Sequence, residues 1–553
     1  MNRMIGMALA ATLLCNSEAS AQEPSDPAPR PAHLSAQASD PGALGWMQGF
    51  PPSPEAVIRL SDPDYFTFPK LRWTVCNFRQ LMPTTGVDRG PAAAHELAEA
   101  EMPSLADVIF TPLNGDQPMT WDAAFDANHT DGVIVLHHGR VVYERYAGCL
   151  SQNGLHGAMS ITKSLTGLLA QMLVTEGRLD EAALVGDLVP ELAGSAFGDA
   201  TVRQVMDMTT ALDYSEDYAD PDAGVWTYAR AGSTLPRPEG YDGPDGYYDF
   251  LKTVEKNGDH GTAFGYRTIN SDALGWVIAR VTGMSVADLL AERIWSRIGA
   301  QREAFYTVDS VGTPFAGGGF NANLRDMARL GQMMLEDGRA GHEQVLPEGV
   351  VAAIEQGGDK ALFAKAGYEM LPDWSYKSMW WVAGDDHGAF AARGVHGQTI
   401  WVDPAADMVI ARFASHPVAA NAASDPTSLP AYRALANHLI ANDDLPLVGR
   451  EWRIEDVDGM GVIDYSNPTL DFMADGTLAG SATCNRLIGS YSVNGDALRI
   501  EPAGTTMMAC PEALMLQEQR VLDLLQRIDR FVIDETGALI LIASDGRTIA
   551  ARR

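Results

Sequence analysis

A change of pattern near residue 442 divides this chain. After Asn442-Asp443-Asp444-Leu445-Pro446 the apolar runs become short and alternating, and residue pairs that favour tight turns separate them. These pairs are Asp475-Gly476, Asn494-Gly495, Thr536-Gly537 and Asp545-Gly546. One helix interrupts the series from about Pro511 to Ile528, with proline in its first turn, where the missing N–H costs nothing. The sequence therefore predicts a linker at 441–446 and a separate, small β-rich domain at 447–553.

The longer region before this linker, 55–440, mixes strands and helices. Two β-branched and aromatic runs, Gly132–Leu136 and Val141–Tyr146, are joined around Gly139 and predict a hairpin. Apolar spacing predicts a helix from near Ser160 and further elements, namely helices at Val202–Met208, Asp272–Thr282, Val286–Ile298 and Leu324–Leu335, and strands at Ile400–Asp403 and Met408–Phe413. We therefore expect a mixed α/β (α+β) domain whose sheet takes strands from both ends of the region.

The charge of the chain argues against nucleic acid as a partner. The 40 basic and 72 acidic residues among 553 give a formal net charge of −32. A field of that sign repels a phosphate backbone. No apolar run reaches the roughly 18 to 20 residues that cross a bilayer, so no transmembrane segment is expected.

The N-terminal segment has the pattern of a secretory signal peptide. Arg3 precedes the short apolar stretch Met4–Leu14, and a small-x-small cleavage pattern follows at Ala19-Ser20-Ala21. The pattern predicts removal of residues 1–21 by cleavage before Gln22. The protein is then expected in the periplasm or outside the cell.

A lipoprotein that begins at Cys15 is the alternative, although Leu14 is large for the residue before such a cysteine. Residues 22–54 are rich in Pro, Ala, Ser and Asp and have few bulky apolar residues. They predict a flexible leader.

Four cysteines remain after cleavage, an even number in an exported chain. Cys484 and Cys510 lie 26 positions apart in the small domain, and an oxidising compartment favours a disulfide between them, with two buried free thiols as the alternative. Cys76 and Cys149 could also pair, although nothing in the sequence brings them together. The spacings do not fit a zinc site, so no metal is expected.

Ser160-Ile161-Thr162-Lys163 carries the sharpest chemical signal. At the start of a helix, positions three apart share a face, so the Lys163 amine can lie beside the Ser160 hydroxyl. A partly desolvated lysine with a lowered pKa can take the proton that makes a serine nucleophilic. Chance pairs of this kind occur on solvated helices, but this one follows a predicted hairpin and opens an amphipathic helix.

Further motifs follow this pair in order along the chain. They are Val202-Arg203-Gln204-Val205-Met206-Asp207-Met208-Thr209, Tyr266 before Asp272-Ala273-Leu274-Gly275-Trp276, Gly317-Gly318-Gly319-Phe320, and Val395-His396-Gly397-Gln398. Together they resemble the serine β-lactamase-like superfamily, in particular the 6-aminohexanoate-dimer hydrolases and the class C-like esterases. The resemblance covers about 70–440 and implies an antiparallel sheet flanked by a helical subdomain.

The resemblance also implies an acyl-enzyme mechanism without a cofactor. Ser160 would attack the carbonyl, Lys163 would accept its proton, and Tyr266 would share the proton relay and protonate the leaving group. A phenol beside a cationic amine can have its pKa lowered enough for that role. The oxyanion hole would use the Ser160 N–H and one strand N–H near Gln398.

His396 and Gly397 occupy the place where penicillin-recognising relatives carry Lys-Thr-Gly, a tripeptide that this chain lacks. In those relatives the lysine helps to hold the β-lactam carboxylate, so its absence favours an esterase or amidase over a β-lactamase. A structural histidine is an equal alternative for His396. Tyr218 resembles a substrate-contacting tyrosine of the nylon-oligomer branch, with ordinary loop packing as the alternative.

A second set of motifs lies in the small domain. They include Leu470-Asp471-Phe472, Cys484-Asn485-Arg486 and Thr506-Met507-Met508-Ala509-Cys510-Pro511. These motifs resemble a META domain, which implies an envelope-associated accessory module. They form no catalytic constellation.

The sequence as a whole predicts an exported serine hydrolase that cleaves a small carboxyester or linear amide. One alternative is a penicillin-binding D-alanyl-D-alanine peptidase or β-lactamase. Another is an inactive β-lactamase-like binding protein. The complete set of Ser160, Lys163 and Tyr266 argues against the last.

Overall fold

The computed structural model describes residues 33–552 except 114, 218–219, 443–445, 449–450, 474–475, 495 and 535. The predicted signal peptide therefore lies outside the described residues. Within the predicted leader, residues 35–54 form a succession of turns, and Ser39 is fully buried. The buried guanidinium of Arg72 donates to Ala36 O and Ser39 Oγ. Polar contacts, which composition does not reveal, thus order this segment.

A seven-stranded antiparallel sheet forms the centre of the larger domain. In spatial order its strands are Ser375–Lys377, Trp380–Val382, Phe390–Gly394, Gln398–Asp403, Met408–Ala414, Thr130–His137 and Arg140–Tyr146. Met408 pairs with His137, which joins the last strand of the larger domain to the predicted hairpin. The sheet therefore takes its strands from both ends of the region, and the predicted fold class is confirmed.

Helices cover both faces of this sheet. Ile400 contacts the helix Leu324–Leu335 at Gly331, whereas the next residue, Trp401, packs on Tyr432 of the opposite helix. The α-helices of the larger domain are Leu71–Thr74, Trp121–Ala127, Ile161–Thr175, Val185–Leu188, Val202–Met206, Gly224–Ala231, Tyr247–Leu251, Ile269–Thr282, Val286–Leu290, Leu324–Leu335, Val350–Glu355, Lys360–Ala364 and Asp425–Ala441. The helix predicted over Val286–Ile298 ends early, at Leu290, and continues as a π-helical turn.

The helix Ile161–Thr175, called the central helix below, is buried on almost every side. It packs against the helix Ile269–Thr282 and the strand Phe390–Gly394. A short strand, His156–Gly157, leads into it and pairs with Phe320–Ala322. This pairing belongs to a second sheet, which also contains Thr84–Val87 and Ala304–Thr307. The start of the central helix is therefore held between two sheets and a second long helix.

The small C-terminal domain is a closed barrel with its own apolar core. Its strands are Trp452–Val457, Met460–Gly461, Thr469–Phe472, Thr477–Ser481, Arg486–Asn494, Ala497–Thr505, Ile528–Ile533, Leu539–Ala543 and Thr548–Arg552. The last strand pairs back with Trp452–Val457, which closes the barrel and leaves no long open edge. The predicted helix spans Glu512–Leu525.

Two disulfides join the four described cysteines. Cys484 and Cys510 are bonded across the barrel domain, with their Cα atoms 6.4 Å apart. Cys76 and Cys149 are bonded with a Cα separation of 6.0 Å. By the chain-entropy account, closing a loop across the 26 positions between Cys484 and Cys510 contributes roughly 3 to 4 kcal/mol to stability.

Among the described residues, none of the helices alone has the length and apolar character of a membrane span. The helices Ile269–Thr282 and Val286–Trp295 meet the criterion only as a pair, with a 73° bend between them.

Candidate active site

Ser160 lies at the junction between the short strand His156–Gly157 and the central helix. Met159 has a φ of 48°, a left-handed conformation that is uncommon for a residue with a side chain. This sharp turn sets Ser160 at the N-cap of the helix, where its side chain is half-buried. Strained backbone of this kind is often found at active sites, where it fixes the direction of a functional side chain.

The Lys163 amine lies beside the Ser160 hydroxyl, as the spacing predicts. Its Nζ donates to Ser160 Oγ at 2.8 Å and to the carbonyl oxygen of Gly317 at 2.5 Å. The close approach of that carbonyl depends on glycine, because a Cβ at Gly317 would stand 2.4 Å from the Thr268 side chain. Lys163 is 1% exposed, so the amine is held in one place out of water.

Burial lowers the pKa of Lys163 to about 8, although the nearby carboxylates of Glu216 and Asp272 raise it. Removing an ammonium group from water disfavours its charged form, which is the dominant effect here. A substantial fraction of the lysine is therefore neutral near pH 8. Such an amine can accept a proton.

The two carboxyl groups near Lys163 are site residues that the sequence analysis did not identify. Glu216 is half-buried and accepts a hydrogen bond from the backbone N–H of Thr268, and desolvation raises its pKa. Asp272 is fully buried, and burial raises its pKa to about 7. Asp272 stands inside one of the sequence motifs, but nothing in the sequence shows that either group faces the lysine.

Tyr266 stands next to the lysine. Lys163 Nζ is 5.2 Å from the centre of the Tyr266 ring. Trp381 and Tyr376 pack around the same ring at centroid distances of 5.5 and 6.1 Å. Four positions after Tyr266, the Asn270 side chain accepts from the Thr210 hydroxyl and donates to the Arg267 carbonyl oxygen.

A backbone turn at 395–397 borders the serine. A Cβ at Gly394 would stand 3.0 Å from Ser160 N and 2.8 Å from Ala158 O, so only glycine allows this approach. Within the described part of the chain, the backbone N–H groups of Ser160 and Val395 donate no hydrogen bond to a loop, a turn or a side chain. The Val395 N–H is therefore a candidate donor to the oxyanion. The sequence analysis did not name it and placed this donor near Gln398.

The remaining predicted residues of this turn have structural contacts. His396 is buried, and its Nδ1 lies 2.7 Å from His416 O. Burial lowers its pKa to about 4, so the ring is neutral at pH 7. The Gln398 side chain bonds Ala414 through both its oxygen and its nitrogen. Gly397 O accepts from Arg412 Nε at 2.8 Å.

Tyr218, the predicted substrate-contacting tyrosine, lies outside the described residues.

One close group of candidate metal ligands occurs among the residues that the structure describes. Cys76, Cys149 and His156 bring ligand atoms within 4.8 Å of one another. The two sulfurs, however, are bonded to each other as a disulfide. The His156 Nδ1 lies 2.9 Å from the Gly157 carbonyl oxygen, so a backbone group already occupies that ring nitrogen.

A protein-family model described as Beta-lactamase matches residues 122–431, and one described as META domain matches residues 445–553. Given the fold and the Ser160–Lys163 pair, the first match defines the class: this chain belongs to the β-lactamase family. It is a serine hydrolase of the amidase and esterase kind, followed by a META domain.

Two proteins illustrate where in the family the chain lies. A 6-aminohexanoate-dimer hydrolase from Paenarthrobacter ureafaciens is 36% identical over 351 residues, which cover 63% of this chain and 86% of that protein. A solved structure from Bacillus anthracis, provisionally described as a 6-aminohexanoate-dimer hydrolase, is 31% identical with a TM-score of 0.64. The match covers 70% of this chain and 98% of that one.

Proposed function

We propose that this protein is an exported hydrolase that cleaves a carboxyester or linear amide through an acyl-enzyme on Ser160. The observation that carries the proposal is the 2.8 Å contact between Lys163 Nζ and Ser160 Oγ. Burial lowers the pKa of this lysine to about 8, which makes it a base near neutral pH. The nucleophile and its base are thus within hydrogen-bond reach of each other.

In the proposed reaction, Ser160 Oγ attacks the substrate carbonyl and its proton passes to Lys163. The backbone N–H groups of Ser160 and Val395 bind the resulting oxyanion, whose negative charge they stabilise at the helix N-terminus. Tyr266 relays the proton to the leaving alcohol or amine. Water then attacks the acyl-enzyme by the same route in reverse and releases the acid.

The turn at 395–397 supports an ester or linear amide over a penicillin. His396 stands where penicillin-recognising relatives have a lysine that helps to hold the β-lactam carboxylate. Because burial lowers the His396 pKa to about 4, the ring carries no positive charge at pH 7. Its Nδ1 is also engaged with His416 O. A carboxylate at this position would therefore find no positive charge on the side chain of residue 396.

The name of the relative from Paenarthrobacter ureafaciens suggests a linear amide of 6-aminohexanoate as a first substrate to test. A panel should contain p-nitrophenyl esters of increasing acyl length, the linear 6-aminohexanoate dimer and the β-lactam nitrocefin. We expect hydrolysis of esters and of linear amides, with kcat/KM for nitrocefin lower by roughly a hundredfold or more.

The Ser160→Ala variant supplies the background rate for every substrate in this panel. Nitrocefin turnover at the rate of the best ester would favour the β-lactamase alternative. Hydrolysis of none of the compounds, by protein that remains folded, would favour the binding-protein alternative.

The pH profile of ester hydrolysis should follow the loss of the proton from Lys163. Because Lys163 must be neutral to take the serine proton, kcat/KM should rise with pH and level off above about 8. The carboxylate of Glu216 raises the lysine pKa, so Glu216→Gln should move the midpoint to lower pH. The measurement is initial rates between pH 5 and pH 10, and the exposed Asp222→Asn is the control. A midpoint that does not move in Glu216→Gln would contradict this assignment.

Export is part of the proposal and is supported by the cysteine chemistry. Both Cys76–Cys149 and Cys484–Cys510 are joined as disulfides. Disulfides of this structural kind persist mainly in oxidising compartments. Together with the signal-peptide pattern of residues 1–21, they point to the periplasm or the exterior.

A further inference from the structure

Two adjoining cavities lie between the central sheet and the last helix of the larger domain, Asp425–Ala441. Arg412, Ser428 and Tyr432 line both of them. The cavity volumes are about 20 Å³ and about 10 Å³. Each cavity therefore has room for roughly one or two water-sized particles. We call the pair the rear cavity, because it faces away from the helix Leu324–Leu335.

Three buried side chains around the rear cavity carry donors that reach no acceptor among the described residues. They are the indole N–H groups of Trp121 and Trp401 and the phenol O–H of Tyr432. The Tyr432 ring lies between the indoles, with centroid distances of 6.2 Å to Trp121 and 5.5 Å to Trp401. Asn421 Oδ1, which is also without a partner, lines the second cavity, and an amide can present its NH₂ instead. Buried donors of this kind require an acceptor.

The wall of the rear cavity carries more positive than negative charge. Arg393 and Arg412 stand in one row across the sheet, two strands apart. Arg393 is paired with Asp425, which is the one acidic residue among the described residues that line the cavity. Arg412 is 5% exposed, and its recorded acceptors are neutral: Gly397 O at 2.8 Å and Ser428 Oγ at 2.8 Å. A buried guanidinium without a counter-charge is strongly unfavourable.

We propose that the rear cavity binds a monovalent anion of the size of chloride. Chloride accepts hydrogen bonds from several N–H and O–H donors at once. Unlike water, it has no hydrogen atoms that need acceptors. It also neutralises the Arg412 charge, which a water molecule cannot do. Chloride is a single atom whose radius exceeds that of water by only a few tenths of an ångström, so small side-chain shifts admit it, whereas sulfate, phosphate and carboxylates are too large.

The anion connects to the candidate active site through Arg412. The Nε of this residue donates to the Gly397 carbonyl oxygen. Gly397 ends the turn that follows Gly394, the residue packed against Ser160 N. An anion that fixes the guanidinium therefore also fixes this turn. The expected consequence is a more stable larger domain in the presence of halide, whether or not Ser160 is the nucleophile.

The first test is thermal unfolding of the purified protein in sodium chloride, compared with sodium gluconate at the same ionic strength. Chloride in large excess over its dissociation constant should raise the unfolding midpoint by about 3 °C or more, and the rise should saturate. Crystals grown in sodium bromide should show an anomalous peak in the rear cavity. Equal midpoints in the two salts, or a water molecule and no bromide at this position, would overturn the proposal.

The second test separates specific binding from a general salt effect. Tyr432→Phe removes one donor and keeps the ring, so the chloride concentration for half-maximal stabilisation should rise by roughly fivefold or more. The matched control is Tyr465→Phe, which changes a fully exposed tyrosine in the barrel domain. An unchanged chloride dependence in Tyr432→Phe, with the protein folded, would also count against the site.

Discussion

Replacing Ser160 by alanine should abolish the hydrolysis of every ester that the wild-type protein cleaves. Without the Oγ no acyl-enzyme can form, and the loss of kcat should be on the order of a thousandfold or more. The half-buried side chain is small and makes its recorded hydrogen bond with Lys163, so the fold should persist. Steady-state rates with p-nitrophenyl esters measure the effect, and the unfolding midpoint checks the fold.

Ser164→Ala is the matched control, because Ser164 lies on the same helix and its hydroxyl donates to Met379 O. It should lose stability rather than the chemical step. Retention of more than a tenth of the wild-type kcat by folded Ser160→Ala protein would exclude Ser160 as the nucleophile.

Removing the base or the relay should cost nearly as much as removing the nucleophile. Lys163→Met keeps a chain that fills the buried space and deletes the amine, and Tyr266→Phe deletes only the hydroxyl. Each should lower kcat by roughly a hundredfold or more, and the double variant should lose little beyond the worse single one, because groups that act as a unit are not additive. Kinetics of the wild type and the three variants give the complete cycle.

Tyr376→Phe is the control for the relay, since Tyr376 packs on Tyr266 and its own hydroxyl has no partner among the described residues. Its kcat should stay near that of the wild type. If Tyr266→Phe kept the wild-type kcat and pH profile, the relay would belong to another group. Losses that add fully in the double variant would mean that the two residues act independently.

The parts of the fold that local patterns determine were predictable. The helix Leu324–Leu335 has the predicted bounds, and the central helix begins one residue after Ser160. Apolar spacing predicts these helices because the residues that face the core recur every three or four positions along a helix. The Ser160–Lys163 contact was predictable for the same reason, since three-residue spacing on a helix is a local property.

The residues that act at a distance in sequence were not predictable. Glu216 lies 53 positions after Lys163 in the sequence, yet in the folded chain its carboxylate is close enough to raise the lysine pKa. Val395 becomes a candidate oxyanion donor because Gly394 allows the sheet to approach Ser160. Arg72 binds Ala36 and Ser39 of the N-terminal segment through buried polar contacts. None of these contacts produces a periodic pattern of apolar residues in the sequence.

The most direct measurement of the central claim is the site of covalent modification by a fluorophosphonate, which reacts with activated serine hydroxyls. Purified protein is labelled until ester hydrolysis stops, and its peptides are then mapped by mass spectrometry. A single adduct on the peptide that contains Ser160, with no adduct in Lys163→Met over the same time, is the predicted result. An adduct on a different serine, or none while ester hydrolysis continues, would contradict a Ser160 acyl-enzyme.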